Sequence, residues 1–534
     1  MNLNSNLANS GNFKKKVVFF KSQFWYKLLV FFVLLNYSCK TNQVNTPKTT
    51  DDGKIEFQFL QVNDVYEIAP LENGKIGGMA RLATLNKKYK SENPNTLTIL
   101  SGDFLSPTLI GTLKMDGRRI NGKQMVDLMN RAGVDLVTFG NHEFDLNYPD
   151  LQLRLDESGF LWISSNVLQR NDTGELNRFF QIKNGEKSYV PDHFVWEIAD
   201  RDGTKMKVGF FGLTLPTFPV PYVHYEDFYL EGRKAVQHLS RDCDVVIGVT
   251  HLERGQDSLL ALQIQDVPLL MGGHEHENML FKSGKTTVAK ADANAKTAFI
   301  HRLSFDKKSK KIELKSELVQ LDSTVALDAE TTRYVENWQQ ILLDKIVEIV
   351  PNPSETIYHA DPPLDALESH IRQKQTNFGA VVTEGIFRSS GQNTDGALMN
   401  AGGVRIDDYL RDDLTPVDIF RALPFGGKVL VVTLEGGFLK EVLDAGEASR
   451  GKGAYLQRYN FDYDAQNKTW KVAGKQIVEN QHYRVAMIDF LMEGLDLPLL
   501  KKGVPGVIHI EYPQETDLNW DLRRAVIAFL KSKK

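Results

Sequence analysis

The sequence predicts a mixed α/β (α+β) protein with two folded domains, and three observations support this. The chain has 534 residues, more than one hydrophobic core ordinarily organises. In residues 54–321, short apolar runs typical of buried strands each end in a turn that carries Asp, Asn or His. A helical segment, Leu327–Val350, then separates this region from a second stretch of α/β pattern.

The composition and net charge of the chain limit the kinds of molecule that it is expected to bind. Hydrophobic residues make up 42% of the chain and charged residues 25%, both ordinary for a soluble globular protein. The net charge is −4, so no basic field attracts a nucleic acid polymer. We therefore expect no nucleic acid polymer as a partner.

The first 39 residues indicate a signal peptide. Lys14, Lys15 and Lys16 form a basic start, and the apolar run Leu28–Leu35 is too short to span a bilayer. Cys39 stands where a bacterial lipoprotein carries its lipid, which would anchor the protein to a membrane. Simple cleavage and an uncleaved signal anchor are the alternatives.

We accordingly expect an exported protein, periplasmic or on the cell surface, with residues 40–53 as a flexible polar tether. The other cysteine, Cys243, lies in an apolar run and is predicted to be a small core residue rather than a nucleophile.

Five apolar runs of the N-terminal region end in candidate metal ligands. The runs and their endings are Phe57–Val62 before Asn63 and Asp64, Leu97–Leu100 before Ser101–Asp103, Leu136–Phe139 before Gly140–His142, Val245–Val249 before Thr250 and His251, and Val267–Met271 before Gly272–His276. A single such ending is usually a turn or a helix cap, but functional groups of sheet proteins gather beyond one end of the strands. The mixture of carboxylate, amide and imidazole groups suits two divalent transition ions that share a carboxylate.

These endings resemble the motifs of the calcineurin-like metallophosphoesterases, and their order resembles the 5'-nucleotidase branch of that family. The most specific element is GNHE followed by Asp145, and GGH with an upstream TH supports it. The resemblance implies a two-sheet αββα sandwich over residues 54–321, with the metals at its edge.

The resemblance also implies a role for each residue. Asp103 would bridge two divalent ions, zinc, manganese or similar. The other proposed ligands are Asp64 and His276 for the first ion, and Asn141, His251 and His274 for the second. His142 would face the phosphoryl group and Asp145 would orient it.

Tyr66 departs from the family pattern. The family usually has Asp-x-His at the first motif, whereas this chain has Asp64-Val65-Tyr66; conversely, His276 stands where the nucleotidase branch often has Gln. Three interpretations are open: Tyr66 binds a metal as phenolate, packs or hydrogen-bonds beside a thinner ligand shell, or marks a weakened site. A phenol ordinarily loses its proton near pH 10, so ligation needs a strongly polarising ion.

The helical segment ends at Pro351, and we assign residues 322–351 to a linker helix and residues 352–534 to a second domain. That domain carries motifs that resemble the 5'-nucleotidase C-terminal domain. They are Arg372 with Gln375–Gly379, Asn400–Arg405, Leu423–Gly427, and Phe490 with Gly494 and Asp496. The family usually has Gly-Gly-Asp in the last motif, and this chain has Leu495 in the middle position.

The second domain would hold the nucleotide. Arg372 and Arg405 can present planar donors to phosphate. Phe425 and Phe490 can stack on both faces of a base. Asn400 would bind the base edge and Asp496 the ribose hydroxyls, and the resemblance implies that the domain rotates towards the metals.

The sequence thus predicts a metal-dependent hydrolase of nucleoside 5'-phosphates, an activity of nucleotide catabolism, in which a metal-activated water attacks the phosphate. One alternative is a phosphodiesterase acting on cyclic nucleotides, nucleotide sugars or other small organophosphates. A catalytically weak nucleotide-binding lipoprotein is the other, because of Tyr66.

Overall fold

Two six-stranded sheets organise the N-terminal half of the computed structural model, which describes residues 52–72, 74–216, 220–391 and 393–534. The predicted signal peptide, Cys39 and all but the end of the tether lie outside these residues. The first sheet contains, in spatial order, Lys311–Gln320, Thr297–Asp306, Lys54–Val62, Thr96–Leu100, Leu136–Thr138 and Leu161–Ile163. The second contains His193–Ala199, Lys205–Thr214, Val245–His251, Leu269–Met271, Thr286–Lys290 and Met279–Ser283.

Both sheets have a parallel centre; the second has two antiparallel edges, and the first has one antiparallel edge and one parallel edge at Leu161–Ile163. Lys54–Val62 pairs in parallel with Thr96–Leu100, which pairs in parallel with Leu136–Thr138. In the second sheet, Val245–His251 and Leu269–Met271 are parallel neighbours. The carboxyl ends of these five strands carry the predicted ligands.

Alternation along the strands divides the apolar side chains between two cores. Ile55, Phe57 and Phe59 enter the core between the sheets, whereas Leu60 and Val62 face the helices on the outer side of the first sheet. Helices Phe228–Leu239 and Arg254–Gln263 contribute to a third core on the outer face of the second sheet. These layers are the αββα sandwich that the sequence predicts.

The remaining elements are shorter or lie outside the two large sheets. The helices are Met79–Glu92, Leu109–Thr112, Lys123–Ala132, Tyr148–Glu157, Phe228–Leu239, Arg254–Gln263, Ala329–Val347, Glu368–Ile371, Asn377–Ser389, Pro416–Ala422, Gly436–Ala448 and Leu522–Lys531, with 3-10 turns at His142–Asp145, Ala293–Ala295, Ala401–Gly403, Asp489–Met492 and Leu518–Trp520. The small sheets of the N-terminal half contain Lys114–Met115 with Arg118–Arg119, Phe180–Lys183 with Glu186–Tyr189, and Val167–Arg170 with Leu176–Asn177 and Val223–Tyr225. No helix in the described part of the chain combines the length and the apolar character needed to cross a membrane.

Each of the five strands differs from its predicted run by one to three residues at an end, and two of the differences have a clear cause. Thr250 and His251 belong to the strand Val245–His251 rather than to the turn after it, because they continue the pairing with the neighbouring strand up to Thr214. The next strand begins at Leu269 instead of Val267, after Pro268, which has no N–H to donate to a neighbour. Cys243 lies just before Val245, packs against the third core and forms no disulfide with a described residue.

The predicted linker helix spans Ala329–Val347 and is slightly shorter than predicted. The Asp328 side chain caps it by accepting a hydrogen bond from the Thr331 N–H. Its buried face includes Trp338, whose Nε1 donates to Asp127 on the helix Lys123–Ala132. The helix is therefore packed against the sandwich.

The C-terminal half is built on a five-stranded mixed sheet. Its strands are, in spatial order, Leu456–Tyr459, Gly396–Asn400, His482–Ile488, Val429–Glu435 and Val507–Glu511. Tyr358–Asp365 pairs with Tyr409–Leu414, and Phe461–Asp464, Thr469–Val472 and Lys475–Gln476 form a small meander. Loops at the ends of these strands carry the residues predicted to hold a nucleotide.

Candidate active site

The five strand ends meet at one edge of the sandwich. His251 Nε2 lies 3.1 Å from Asp103 Oδ2 and 3.9 Å from Asp64 Oδ1. His276 Nε2 lies 3.6 Å from Asp64 Oδ1. The His251 and His274 rings are neighbours, with centroids 5.5 Å apart. The two sheets thus contribute oxygen and nitrogen ligands to a single cluster.

The backbone at this cluster adopts a conformation that side chains rarely favour. Asp64, Asp103 and His274 have φ values of 53°, 59° and 85°. Nearby groups hold the carboxylates: Asp64 Oδ2 accepts from the His274 N–H at 2.9 Å, and Asp103 Oδ1 accepts from the His142 N–H at 2.8 Å. Left-handed backbone of this kind is characteristic of functional sites, where surrounding contacts offset the strain.

The cluster fits divalent cations. One ligand atom from each of Asp64, Asp103 and His251 lies within 4.8 Å of the others, and all three residues are buried. Asn141 Oδ1 is buried and has no hydrogen-bond partner within the described residues, and His251 Nε2, although paired with Asp103, forms no well-directed hydrogen bond there. An unpaired polar atom in a buried site is costly, and coordination to a cation would satisfy Asn141 Oδ1.

Electrostatics couples the imidazoles to the carboxylates. Burial lowers the pKa of His251, but the carboxylates of Asp103 and Asp64 outweigh it and raise the pKa to about 9. His274 behaves oppositely, because burial and the His251 charge lower its pKa to about 3. Burial raises the pKa of Asp103, but His251 and His142 outweigh it and leave that pKa below its usual value. Since a cation binds neutral imidazole, its binding would displace the proton of His251.

His142 stands beside the cluster as the sequence predicts. Its Nδ1 is 2.7 Å from Asp145 Oδ2, and Asp145 also accepts a hydrogen bond from the Ser106 hydroxyl at 3.2 Å. Burial lowers the pKa of His142, but Asp145 and Asp103 outweigh it and raise that pKa above its usual value. The pair can therefore hold a protonated imidazole next to the cluster.

The Tyr66 hydroxyl lies within the cluster. It is 3.1 Å from Asp103 Oδ2, 3.2 Å from His276 Nε2 and 3.4 Å from Asp64 Oδ1. Burial and the nearby carboxylates raise the pKa of Tyr66 well above its usual value, so the phenol keeps its proton before an ion binds. The hydroxyl is therefore a hydrogen-bond donor to Asp103 in this state.

Sequence reasoning missed Glu143, which organises two of the ligand loops. Its carboxylate accepts hydrogen bonds from the backbone N–H groups of Asp103, Phe104, Leu105 and Gly140. Burial and the Asp103 charge raise the pKa of Glu143 to about 7. The only sequence signal is its position inside GNHE, because its buried environment comes from a distant loop.

Lys290 is a second residue that the sequence did not reveal. It is fully buried, and its Nζ donates to the carbonyls of Leu252 at 2.5 Å and Gly273 at 2.8 Å. It also pairs with Asp257 at 2.8 Å and with Glu275. These two carbonyls adjoin His251 and His274, so one ammonium group ties both imidazole-bearing loops together.

The predicted nucleotide residues form a second cluster in the C-terminal half. Asn400 Nδ2 donates to Asp496 Oδ2 at 2.7 Å, and the Arg405 guanidinium lies 5.8 Å from the Phe425 ring centroid. The buried atoms Asn400 Oδ1, Arg405 Nε and Arg372 Nε have no hydrogen-bond partner within the described residues. These atoms are free to bind a polar ligand.

The two predicted stacking residues are exposed. Phe425 is 53% exposed and Phe490 is 38% exposed, so neither is a core residue. Their loops lie side by side, because the Asp489 N–H donates to the Lys428 carbonyl at 2.9 Å. Two exposed phenylalanines on adjacent loops suit a flat, apolar ligand.

The N-terminal and C-terminal halves meet at the cluster of candidate metal ligands, which we call the metal-type cluster. Its residues are Asp64, Asp103, Asn141, His251, His274 and His276. Arg421 Nη2 lies 3.2 Å from Glu67 Oε2, next to Tyr66. His276 Nδ1 lies 3.2 Å from Asp407 Oδ2 and 3.4 Å from Glu368 Oε2. Glu368 and Asp407, both from the C-terminal half, were not predicted, because no local pattern links them to a histidine more than 90 residues away.

Comparisons with known proteins match both halves of the chain. The calcineurin-like phosphoesterase family model matches residues 57–278, and the 5'-nucleotidase C-terminal domain model matches residues 356–502. The chain is 26% identical over 465 residues to the trifunctional nucleotide phosphoesterase protein YfkN of Bacillus subtilis (strain 168), covering 80% of this chain and 30% of that protein.

Two further relatives match over more of their length. The 5'-nucleotidase of Homo sapiens is 24% identical over 456 residues, which cover 76% of this chain and 74% of that protein. The crystal structure of the 5'-nucleotidase precursor from Thermus thermophilus superposes with a TM-score of 0.72 and 21% identity, covering 90% of this chain and 97% of that one. The likeness to that structure supports the fold.

Proposed function

Because the chain belongs to the 5'-nucleotidase family of calcineurin-like metallophosphoesterases, we propose that it removes phosphate from nucleoside 5'-phosphates. It is a metal-dependent phosphoester hydrolase, and the nucleotide substrate is the proposed part. One observation carries the proposal: the metal-type cluster is joined directly to the half of the chain that presents Arg372, Arg405 and Phe425. The contact runs through His276 and Glu368, and Glu368 pairs with Arg372 at 2.6 Å.

In this proposal two ions share Asp103. The further ligands are Asp64 and His276 for the first ion and Asn141, His251 and His274 for the second. The unpaired Asn141 Oδ1, and the position of His251 Nε2 beside both Asp103 and Asp64, support this assignment. When bound, two divalent ions supply charge that activates a water and neutralises the phosphoryl oxygens.

The chain's own residues orient and neutralise the substrate. Since Nδ1 of His142 is engaged by Asp145, its Nε2 is available to donate to a phosphoryl oxygen or to the leaving oxygen. Arg372 and Arg405 would hold phosphate oxygens, and Phe425 and Phe490 would stack on the base. Asn400 and Asp496, already bonded to each other, would contact the base edge and the ribose hydroxyls.

A broader substrate range is the second candidate. It comprises cyclic nucleotides, nucleotide sugars and other small organophosphates, and it is favoured by a relative named a trifunctional nucleotide phosphoesterase. A catalytically weak binding protein is the third, and the substitution at Tyr66 is its only support.

We also keep the domain division and the location as proposals. The catalytic domain is residues 54–321, the linker helix residues 322–351 and the substrate domain residues 352–534. The basic start, the short apolar run and Cys39 support export and a lipid anchor.

The test combines metal analysis with a substrate panel. Purified protein should contain up to two divalent ions, lose AMP hydrolysis on exhaustive chelation, and regain it with zinc or manganese. AMP, ADP, a cyclic nucleotide and a nucleotide sugar should then be compared by phosphate release. His251→Ala should abolish turnover, whereas His238→Ala, an exposed histidine of the same half, should not. Full activity after chelation would contradict the proposal.

A further inference from the structure

His276 presents its two ring nitrogens to different halves of the protein. Its Nε2 faces the cluster, 3.2 Å from the Tyr66 hydroxyl and 3.6 Å from Asp64 Oδ1. Its Nδ1 faces the C-terminal half, 3.2 Å from Asp407 Oδ2 and 3.4 Å from Glu368 Oε2. The ring therefore bridges the candidate first metal position and two carboxylates from more than 90 residues away in sequence.

Asp407 is itself held firmly in place. It is 6% exposed and has a left-handed backbone with φ of 46°. Its Oδ1 accepts the Glu368 N–H at 2.8 Å, and its carbonyl accepts from Lys296 Nζ of the N-terminal half at 3.1 Å. The other oxygen, Oδ2, is thus directed at His276. A buried carboxylate with one oxygen fixed and the other directed at an imidazole has a defined geometry.

We propose that Asp407, with Glu368 beside it, is a positioning residue for the first metal ion. By accepting the Nδ1–H of His276, Asp407 fixes the tautomer whose Nε2 lone pair points at the cluster, orients the ring and makes Nε2 a better ligand. The inference rests on the ligand role given to His276 in the proposed function.

The consequence is that the first metal site is complete only when the two halves are docked. Asp64, Asp103 and His276 all come from the N-terminal half, but the group that orients His276 comes from the C-terminal half. Affinity for the first ion and docking of the two halves are therefore linked, and each strengthens the other.

A different result is expected if Asp407 only helps to hold the two halves together and does not orient His276. The Glu67–Arg421 ion pair also joins the halves, at 3.2 Å, and Arg421 does not touch His276. Loss of adhesion alone would affect the Asp407 and Arg421 variants alike. Arg421→Met is therefore the matched control.

The experiment measures metal affinity, not turnover. Metal-depleted full chain is titrated with Zn²⁺ by calorimetry, and with Co²⁺ by its visible absorption, which reports the ligand geometry of each ion. Wild type should bind two ions. Asp407→Ala should bind one of them roughly ten- to hundred-fold more weakly, the usual effect of removing the partner of a metal-bound histidine. Asp407→Asn, which keeps an acceptor oxygen but no charge, should fall between them and also serves if the alanine variant does not fold.

Three further variants distinguish orientation of His276 from simple docking of the halves: His276→Ala, its double variant with Asp407→Ala, and Arg421→Met. His276→Ala should weaken the same ion, and adding Asp407→Ala to it should cause no further loss, because the two residues act through one ring. Arg421→Met should weaken the first ion far less than Asp407→Ala does, because it loosens the docking of the halves but leaves Asp407 to orient His276. Wild-type affinity for both ions in Asp407→Ala, or equal weakening in Arg421→Met, overturns the inference. Two bound ions in the wild type without phosphate release from any nucleotide would instead contradict the proposed function.

Discussion

At the residue scale, Tyr66 stands where the family usually has His, and its side chain still occupies the space beside the candidate metal ligands. The phenol fills the space beside Asp64 and Asp103, and its hydroxyl lies 3.1 Å from Asp103 Oδ2 and 3.2 Å from His276 Nε2. Without an ion, the raised pKa of Tyr66 keeps its phenol neutral. These hydrogen bonds are the ones expected from the second of the three interpretations, a tyrosine that hydrogen-bonds beside a thinner ligand shell.

Tyr66→Phe is therefore expected to keep two bound ions and most of the AMP hydrolysis. The change removes one hydrogen bond, of net worth about 0.5–1.5 kcal/mol, and no ligand. Metal content by elemental analysis and kcat on AMP are the measurements. Tyr66→His serves as a comparison and should be tolerated. Loss of one ion in the Phe variant, together with a charge-transfer band in the wild type, would identify a phenolate ligand.

At the element scale, the site depends on hydrogen bonds and ion pairs that connect the loops at the carboxyl ends of the strands. Glu143 ties the loop after Thr96–Leu100 to the loop after Leu136–Thr138 through four backbone N–H groups. Lys290 ties the two loops of the second sheet through the carbonyls of Leu252 and Gly273. Each sheet thus has one buried charged side chain that fixes the relative position of its ligand loops.

Lys290→Met should lower the free energy of unfolding by about 3–5 kcal/mol, because it leaves the buried Asp257 carboxylate without its partner. Urea denaturation followed by circular dichroism measures this change. The double variant Lys290→Met with Asp257→Asn should recover part of the loss, since neither charge then remains unpaired. A cost below about 1 kcal/mol in the single variant would show that the ion pair contributes little.

The strands and helices could be predicted from the sequence, but the hydrogen bonds and ion pairs that connect their loops could not. Buried parallel strands are rich in consecutive apolar residues, so strands such as Val245–His251 and Leu269–Met271, and the candidate ligands at their ends, were visible in the chain. Glu143, Lys290 and Asp407 were not, because a buried charge is defined by partners distant in sequence. The boundary at His251 was also missed, since the strand continues through polar residues that pair with the adjacent strand.

At the scale of the whole molecule, the proposed function assigns the chemistry and the holding of substrate to different halves. The proposed ligands and His142 all precede residue 280, whereas Arg372, Asn400, Arg405, Phe425, Phe490 and Asp496 all follow residue 370. The halves meet through charged contacts, including Arg421 with Glu67 and Asp407 with His276. A substrate that has a phosphate but no base would not use the proposed stacking residues Phe425 and Phe490.

Phe425→Ala should therefore reduce kcat/KM for AMP roughly ten- to hundred-fold, corresponding to about 1–3 kcal/mol for one stacked base. Hydrolysis of an aryl phosphate that lacks a base should change little. His142→Ala should slow both substrates alike, because it acts on the phosphoryl group. Steady-state kinetics on both substrates measures the split. Equal losses on the two substrates for Phe425→Ala in a folded protein would count against a nucleotide clamp.

The bridge from His276 to Asp407 has a consequence for how long the enzyme lasts in use. If a nucleoside can leave only when the halves separate, each release also withdraws the carboxylate that orients His276, and the first ion is then held least tightly. A chelator would accordingly inactivate the working enzyme faster than the enzyme with a slowly hydrolysed nucleotide in place. The enzyme would then lose metal in proportion to the number of turnovers it completes, not to elapsed time.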